Sequence, residues 1–287
     1  MAEDSEIGWT DNTGNFWWGC VEVHEGCDNC YARIWDNRYN GDHWGIDKPR
    51  RAIKSIWGDL IRWQRQAKEQ NKILKVFVGS MMDIFEKPMP IVDVKGNPIY
   101  GKLGELAYIS SSNKTNGFDD ITTDDLRQIF FNQISKGHYP NLLFQFLTKR
   151  PSSINKYIPD PWKNKAPQNI IFGTSPVNQA TADNLIPHLL KVKGKRFLSI
   201  EPQLGHIDLR WRYAGMRHPL DGIDWVIVGG ESGHHKREFN PDWAREIRDV
   251  CKEYDVPFFM KQWDKIKEIP EDLMIREFPE ITLPQAA

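Results

Sequence analysis

Cys20, Cys27 and Cys30 fall within a span of eleven residues, and the chain has one further cysteine, Cys251. A disulfide framework spreads its cysteines along a chain, so this clustering points to a metal held in a reducing compartment. The Cys27-Asp28-Asn29-Cys30 step lets two thiolates converge on one centre, and Gly26 permits the tight turn this needs. Three thiolates on a [4Fe–4S] cluster leave one iron without a protein ligand, open to a small chelating molecule. His24 offers a competing set, Cys3His, of the composition that closes a structural zinc site. Iron–sulfur is the stronger reading, because no second ligand pair of the zinc-finger type follows. Cys251 lies in a helical pattern and reads as a small buried hydrophobe.

Such a cluster needs a scaffold, and the apolar periodicity supplies one. Strands are expected at 15–19, 74–80, 142–148, 169–174, 195–200, 224–230 and 256–262, each a near-continuous apolar run of the kind found in a parallel sheet. Helical patterns fall at 50–71, 122–136, 178–191 and 241–254, the last with Asn240 as N-cap and Pro241 at its first position. This alternation predicts an α/β fold, either a βα barrel or a doubly wound sheet, and the strand ends favour the barrel. Nearly every strand runs out into polar residues: Ser80 and Asp83, Lys149 and Arg150, Thr174 and Ser175, Glu201, Glu231, and Lys261. βα barrels build active sites from several strand ends at that mouth. One domain over 1–269 is expected, with a cluster loop at 18–31, an insertion at 90–120 and a C-terminal tail at 270–287. The insertion breaks the βα rhythm and carries a hairpin signal, 91–94 and 97–100 around Gly96-Asn97.

Composition excludes several classes. The first residues show no basic stretch leading into an apolar core, so a secretory signal is not expected. No apolar run approaches the roughly 20 residues that span a bilayer. The expectation is a soluble, cytoplasmic protein without membrane contact. Thirty-eight basic against thirty-nine acidic residues leave a net charge of −1, so any nucleic-acid contact must come from local patches.

The chain also resembles the radical-SAM enzymes, which place a three-cysteine loop after the first strand of a partial βα barrel. More closely, it is similar to a phage and bacterial three-Cys-motif protein family. The segments that carry this are Ile7–Asp11, Trp18–Cys20, Gly26–Ala32, Val76–Asp83, Phe144–Arg150, Arg196–Pro202, Trp225–Gly233 and Pro257–Trp263. The spacing departs from the common Cys-x3-Cys-x2-Cys pattern, with six residues in the first gap, and no Gly-Gly-Glu follows the second strand. The resemblance implies a [4Fe–4S] cluster on Cys20, Cys27 and Cys30 that binds S-adenosylmethionine (SAM), with a flavodoxin-like or ferredoxin-like electron donor. Reductive cleavage would yield methionine and a 5′-deoxyadenosyl radical that takes a hydrogen from substrate. Ser80 and Asp83 then become candidates for the SAM amino group, Lys149 and Arg150 for its carboxylate, and Thr174, Ser175 and Asn178 for its ribose. Glu201, Glu231 and Lys261 remain as catalytic candidates facing substrate.

The resemblance further implies a substrate in phage DNA, a 5-substituted pyrimidine such as a glycinyl-modified thymidine undergoing isomerisation. Residues 48–72 carry eight Lys and Arg against Asp59 and Glu69, and His234-His235-Lys236-Arg237 forms a second basic loop; both offer phosphate contacts. A duplex base would have to flip out to react, with 90–120 gating its entry and Trp263 or Phe85 stacking on it. Other classes stay open: a zinc-stabilised nucleic-acid-binding module without catalysis, and a radical-SAM enzyme acting on a peptide or small metabolite.

Overall fold

The structure, a computed structural model, describes residues 5–102, 108–110, 118–233 and 235–281. Parts of the expected insertion (103–107 and 111–117), His234 of the basic loop, and 282–287 of the expected tail lie outside the described residues.

Seven strands form one parallel sheet in sequence order: β1 (Asn12–Gly14), β2 (Leu74–Val78), β3 (Leu142–Thr148), β4 (Ile170–Thr174), β5 (Lys195–Ile200), β6 (Trp225–Gly229) and β7 (Phe258–Gln262). The sheet curls into a half-barrel, with β1 and β7 as its two edges. Helices α1 (Tyr31–Arg38), α2 (Ile56–Glu69), α3 (Thr123–Ser135), α4 (Gln179–Leu190) and α5 (Pro241–Glu253) fall between the strands. Local chemistry sets their starts. Thr122 and Asp125 make a capping box on α3, and the Asn240 side chain accepts the Asp242 N–H ahead of Pro241 on α5.

Both faces of the sheet are covered, which is why its strands read as continuous apolar runs. The convex face packs on the helices; Phe144 meets Phe130 of α3 at 5.0 Å between ring centroids. The concave face holds a separate cluster that includes Phe77, Leu143, Ile171, Phe197, Ile227 and Phe259. Trp9, ahead of β1, drops into that cluster 4.7 Å from Phe77, and its carbonyl accepts the Gln145 amide.

Four expectations need correction. The first barrel strand is 12–14 rather than 15–19; Trp17-Trp18 pairs instead with Arg50–Ala52 in a small side sheet. The expected helix 50–71 therefore begins as that strand, and α2 starts at Ile56. Arg50 explains the switch: its guanidinium is fully buried and forks onto Glu86 at 2.8 and 2.9 Å, which requires an extended backbone beside the sheet. The 91–94/97–100 hairpin is reduced to the Val92–Pro98 bridge, because Ile91–Val92 joins the side sheet and Ile99–Gly101 pairs with Tyr108–Ser110 and Asp119–Asp120. Residues 270–281 do not form a loose tail. Leu273 is buried in the main core, and 275–277 runs along β7 through the bonds Met260 N–H to Ile275 O and Glu277 N–H to Phe258 O.

Candidate functional site

Alternation along each strand sorts the barrel interior into two levels. Low down, Phe77, Leu143, Ile171, Phe197, Trp225 and Phe259 make an apolar floor. Two to six residues further, the same parity brings Lys149, Ser175, Ser199, Glu201, Glu231 and Lys261 to a cavity of about 340 Å³, and Cys20, Cys27 and Cys30 line it as well. Gly173 keeps the interior passable, since a Cβ there would lie 2.3 Å from the Phe197 ring. Lys261 follows the inward parity of Phe259, and its ammonium pairs with Glu201 across the side-chain-free Gly229; the register of β7 shifts opposite the Val228–Gly229 step.

The cysteine loop is held on several sides. Gly19, at φ 118°, gives its N–H to the Met81 carbonyl, and the Gly45 N–H bonds the Cys20 carbonyl. A short 3-10 turn, Glu25–Cys27, starts from His24, whose Nδ1 accepts the Gly26 N–H at 3.1 Å. Cys30 then precedes α1, and the Tyr31 hydroxyl donates to the Ser80 carbonyl at 2.7 Å. Arg150 donates to the Val21 carbonyl and lies 3.7 Å from the Cys20 sulfur. All three thiols are free, Cys27 buried and the other two half-buried. Burial first, and Asp83 next, push the Cys20 thiol up to about 12 against the pull of Arg150. Ligation therefore needs the positive charge of a bound metal centre to draw off that proton.

The donor set was tested against both metals. A single zinc ion needs every donor about 2.0–2.3 Å from one point, and no group of three or more His, Cys, Asp or Glu side chains is so arranged among the described residues. His24 is also poorly disposed as a fourth ligand. Its Nδ1 lone pair is taken by Gly26, leaving the proton on Nε2, and it is absent from the cavity wall. Burial, then Lys149 and Arg150, lower it to about 4, so it stays neutral. A multi-iron cluster spreads its thiolates more widely than one ion does. Cys20, Cys27 and Cys30 all line the cavity, and three is the number of thiolates that leaves one iron of a [4Fe–4S] centre open.

The other expected residues divide. Lys149 lines the cavity, and its ammonium makes no ion pair among the described residues. Ser175 lines it too, fully buried, its hydroxyl without a partner there. Ser80 lines it and accepts the Asn15 amide at 2.8 Å. Asp83 reaches the wall, but its oxygens are occupied by the Thr148 hydroxyl (2.8 and 2.9 Å), the Phe85 N–H and the Arg150 guanidinium (2.7 Å). That pairing ties Asp83 and Arg150 to each other and to the cavity wall. Thr174 has the opposite parity and donates to the Thr148 carbonyl within the sheet, away from the cavity. Asn178 is the N-cap of α4, accepting the Thr181 N–H and donating to Glu25; it too is off the cavity wall. Glu231 is engaged by Asn29 and Arg237. Phe85, expected as a stacking candidate, is wholly buried in the core. Tyr31, Asn29 and Ser199 also line the cavity and were not among the expected site residues, although Ser199 has the same strand parity as Glu201.

Comparison with known families adds one finding. A family described as "Protein of unknown function (DUF5131)" matches residues 4–95 and 107–276, and the chain belongs to it. The unmatched stretch between those segments falls inside the 90–120 insertion. The searches of curated proteins and of solved structures returned no match.

Proposed function

We propose that this protein is a radical-SAM enzyme, with a [4Fe–4S] cluster on Cys20, Cys27 and Cys30 and SAM in the adjoining cavity. The observation that carries the reading is the meeting of all three thiols with the inward-facing strand ends of a curled parallel sheet in one cavity. Its volume lies in the roughly 300–1,000 Å³ range of small-molecule sites. When bound, a three-thiolate cluster supplies an open iron for chelation and the electron for reductive cleavage of SAM.

The chain's own residues then have separable tasks. Lys149 offers an uncommitted ammonium to a carboxylate. Ser175 has a buried hydroxyl that lacks a partner, a group that a ligand hydroxyl can satisfy. The Ser80 hydroxyl, already accepting from Asn15, keeps its proton to donate. Glu201 and Lys261 hold each other in place on the cavity wall and present both charges to a substrate. The apolar floor closes the interior from below.

A 5-substituted pyrimidine in DNA remains the substrate class that the family resemblance implies. The described surface adds little to it: Lys236 pairs with Asp264, Arg237 with Glu231 and Asp28, Arg62 with Asp59 and Arg65 with Glu69. The test of the proposal is anaerobic reconstitution with iron and sulfide. Wild type should turn brown and hold about four irons per chain, and Cys27→Ala should lose both. A colourless protein that takes zinc and no iron overturns it.

A further inference from the structure

The loop that follows β6 reaches back onto the cysteine loop, and we infer that Glu231 and Arg237 form a positioning clasp that sets the Cys27–Cys30 turn before any metal arrives. The inference rests on the cluster reading for its purpose, and its geometry on this chain's own side chains.

The clasp takes hold of both residues between the two cysteines. Asn29 donates to Glu231 Oε2 at 2.9 Å and to the His235 carbonyl at 2.8 Å. Arg237 forks onto Glu231, Nη2 to Oε1 at 2.7 Å and Nε to Oε2 at 3.1 Å, and its own N–H adds a bond at 2.9 Å. The same guanidinium extends to the Asp28 carboxylate at 3.2 Å and the Glu25 carbonyl at 3.0 Å. Glu231 is 6% exposed, so the fork from Arg237 is its least solvated part, while the bonds to Asp28 and Glu25 lie at the surface. The anchor is firm. A Cβ on Gly230 would lie 2.0 Å from the Trp263 carbonyl, so the chain entering Glu231 is packed directly on the segment after β7.

A loop joining two thiolates with only two residues between them has many conformations, and most turn the sulfurs apart. Holding those two residues removes that entropy in advance, which is how supporting residues preorganise a site. Glu231 is accordingly a positioning residue, not the catalytic group that its strand-end placement implied.

The experiment is thiol alkylation of metal-free protein, read residue by residue by mass spectrometry. Cys251 is fully buried in the core and serves as an internal gauge of global unfolding. Arg237→Ala should speed iodoacetamide labelling of Cys27 and Cys30 about tenfold or more, with Cys251 unchanged. Arg237→Lys should fall between, because an ammonium meets one carboxylate oxygen but cannot fork. Glu231→Gln, which keeps the shape, provides a second variant should Arg237→Ala fail to fold. After reconstitution, iron should pass to a chelator faster from the variants than from wild type. Cys27 labelling at the wild-type rate, or rising only in step with Cys251, overturns the clasp. Wild type that takes up no iron overturns the cluster reading instead, and leaves the labelling result to decide the clasp.

Discussion

Asp83 joins two strand ends and the cluster loop through the Thr148 hydroxyl and the Arg150 guanidinium, which itself reaches Cys20. Both partners of that ion pair are mostly buried, so Asp83→Ala strands a guanidinium in a poorly solvated site. The expected loss is about 3 kcal/mol in urea unfolding, and any fall in SAM binding should accompany it. Lys149→Ala removes no buried partner, and should weaken SAM binding with stability within about 0.5 kcal/mol of wild type. Comparing the two variants separates support from contact. Glu231 gives a pH prediction. Burial pushes its carboxyl up, but the bonds from Arg237 and Asn29 outweigh that and hold it below the usual range. A depressed native value contributes stability above the ordinary carboxylate range, near pH 4.3, and loses it as pH falls through the native value. Glu231→Gln should therefore be less stable at neutral pH and lose less on acidification, as urea midpoints at about pH 7 and about pH 2.5 will read. At this scale the sequence was partly legible. Cysteine spacing and strand-end position found the three cysteines and eight further residues of the cavity wall, but not which side of the strand each residue faces. Thr174 shares its parity with Phe172, which packs toward the helices, and Asn178-x-x-Thr181 was a capping box read as a binding motif.

The strands and helices were legible wherever a long apolar run recorded burial on both faces, as in β3 to β7. β1 was not. Asn12–Gly14 is short and polar, and is buried only because β2 and the Trp9 segment surround it, whereas Trp17-Trp18 advertises a strand that belongs to the side sheet. Arg50 likewise read as part of a basic helix, since nothing local shows that Glu86 lies opposite. The curvature that turns a parallel sheet into a cavity depends on inward small residues. Gly173→Ala tests this directly: its methyl group overlaps the Phe197 ring, so Phe197 must move or the strands must part. The expected cost is about 1–3 kcal/mol, visible as a lowered Tm, with the iron content of the reconstituted protein retained if the cysteine loop is unaffected.

Over the whole molecule, a sheet in sequence order brings parts distant in the chain to one opening: the cysteine loop before α1, the ends of β2 and β3, and the loop after β6. The N-terminal Trp9 and the C-terminal Phe278 both pack on Trp225, which ties the two ends of the chain to the concave side. No helix among the described residues is long and apolar enough to cross a membrane. That a cavity would form was legible from the repeated polar strand ends; its clasp was not, because the contact between residues 29 and 231 spans most of the chain. The central claim, that this cavity serves SAM chemistry, is tested most directly by incubating reconstituted protein with SAM and a strong reductant under anaerobic conditions and measuring 5′-deoxyadenosine. Wild type should produce it together with methionine, and Cys27→Ala should not. Iron-loaded wild type that forms none would contradict the account.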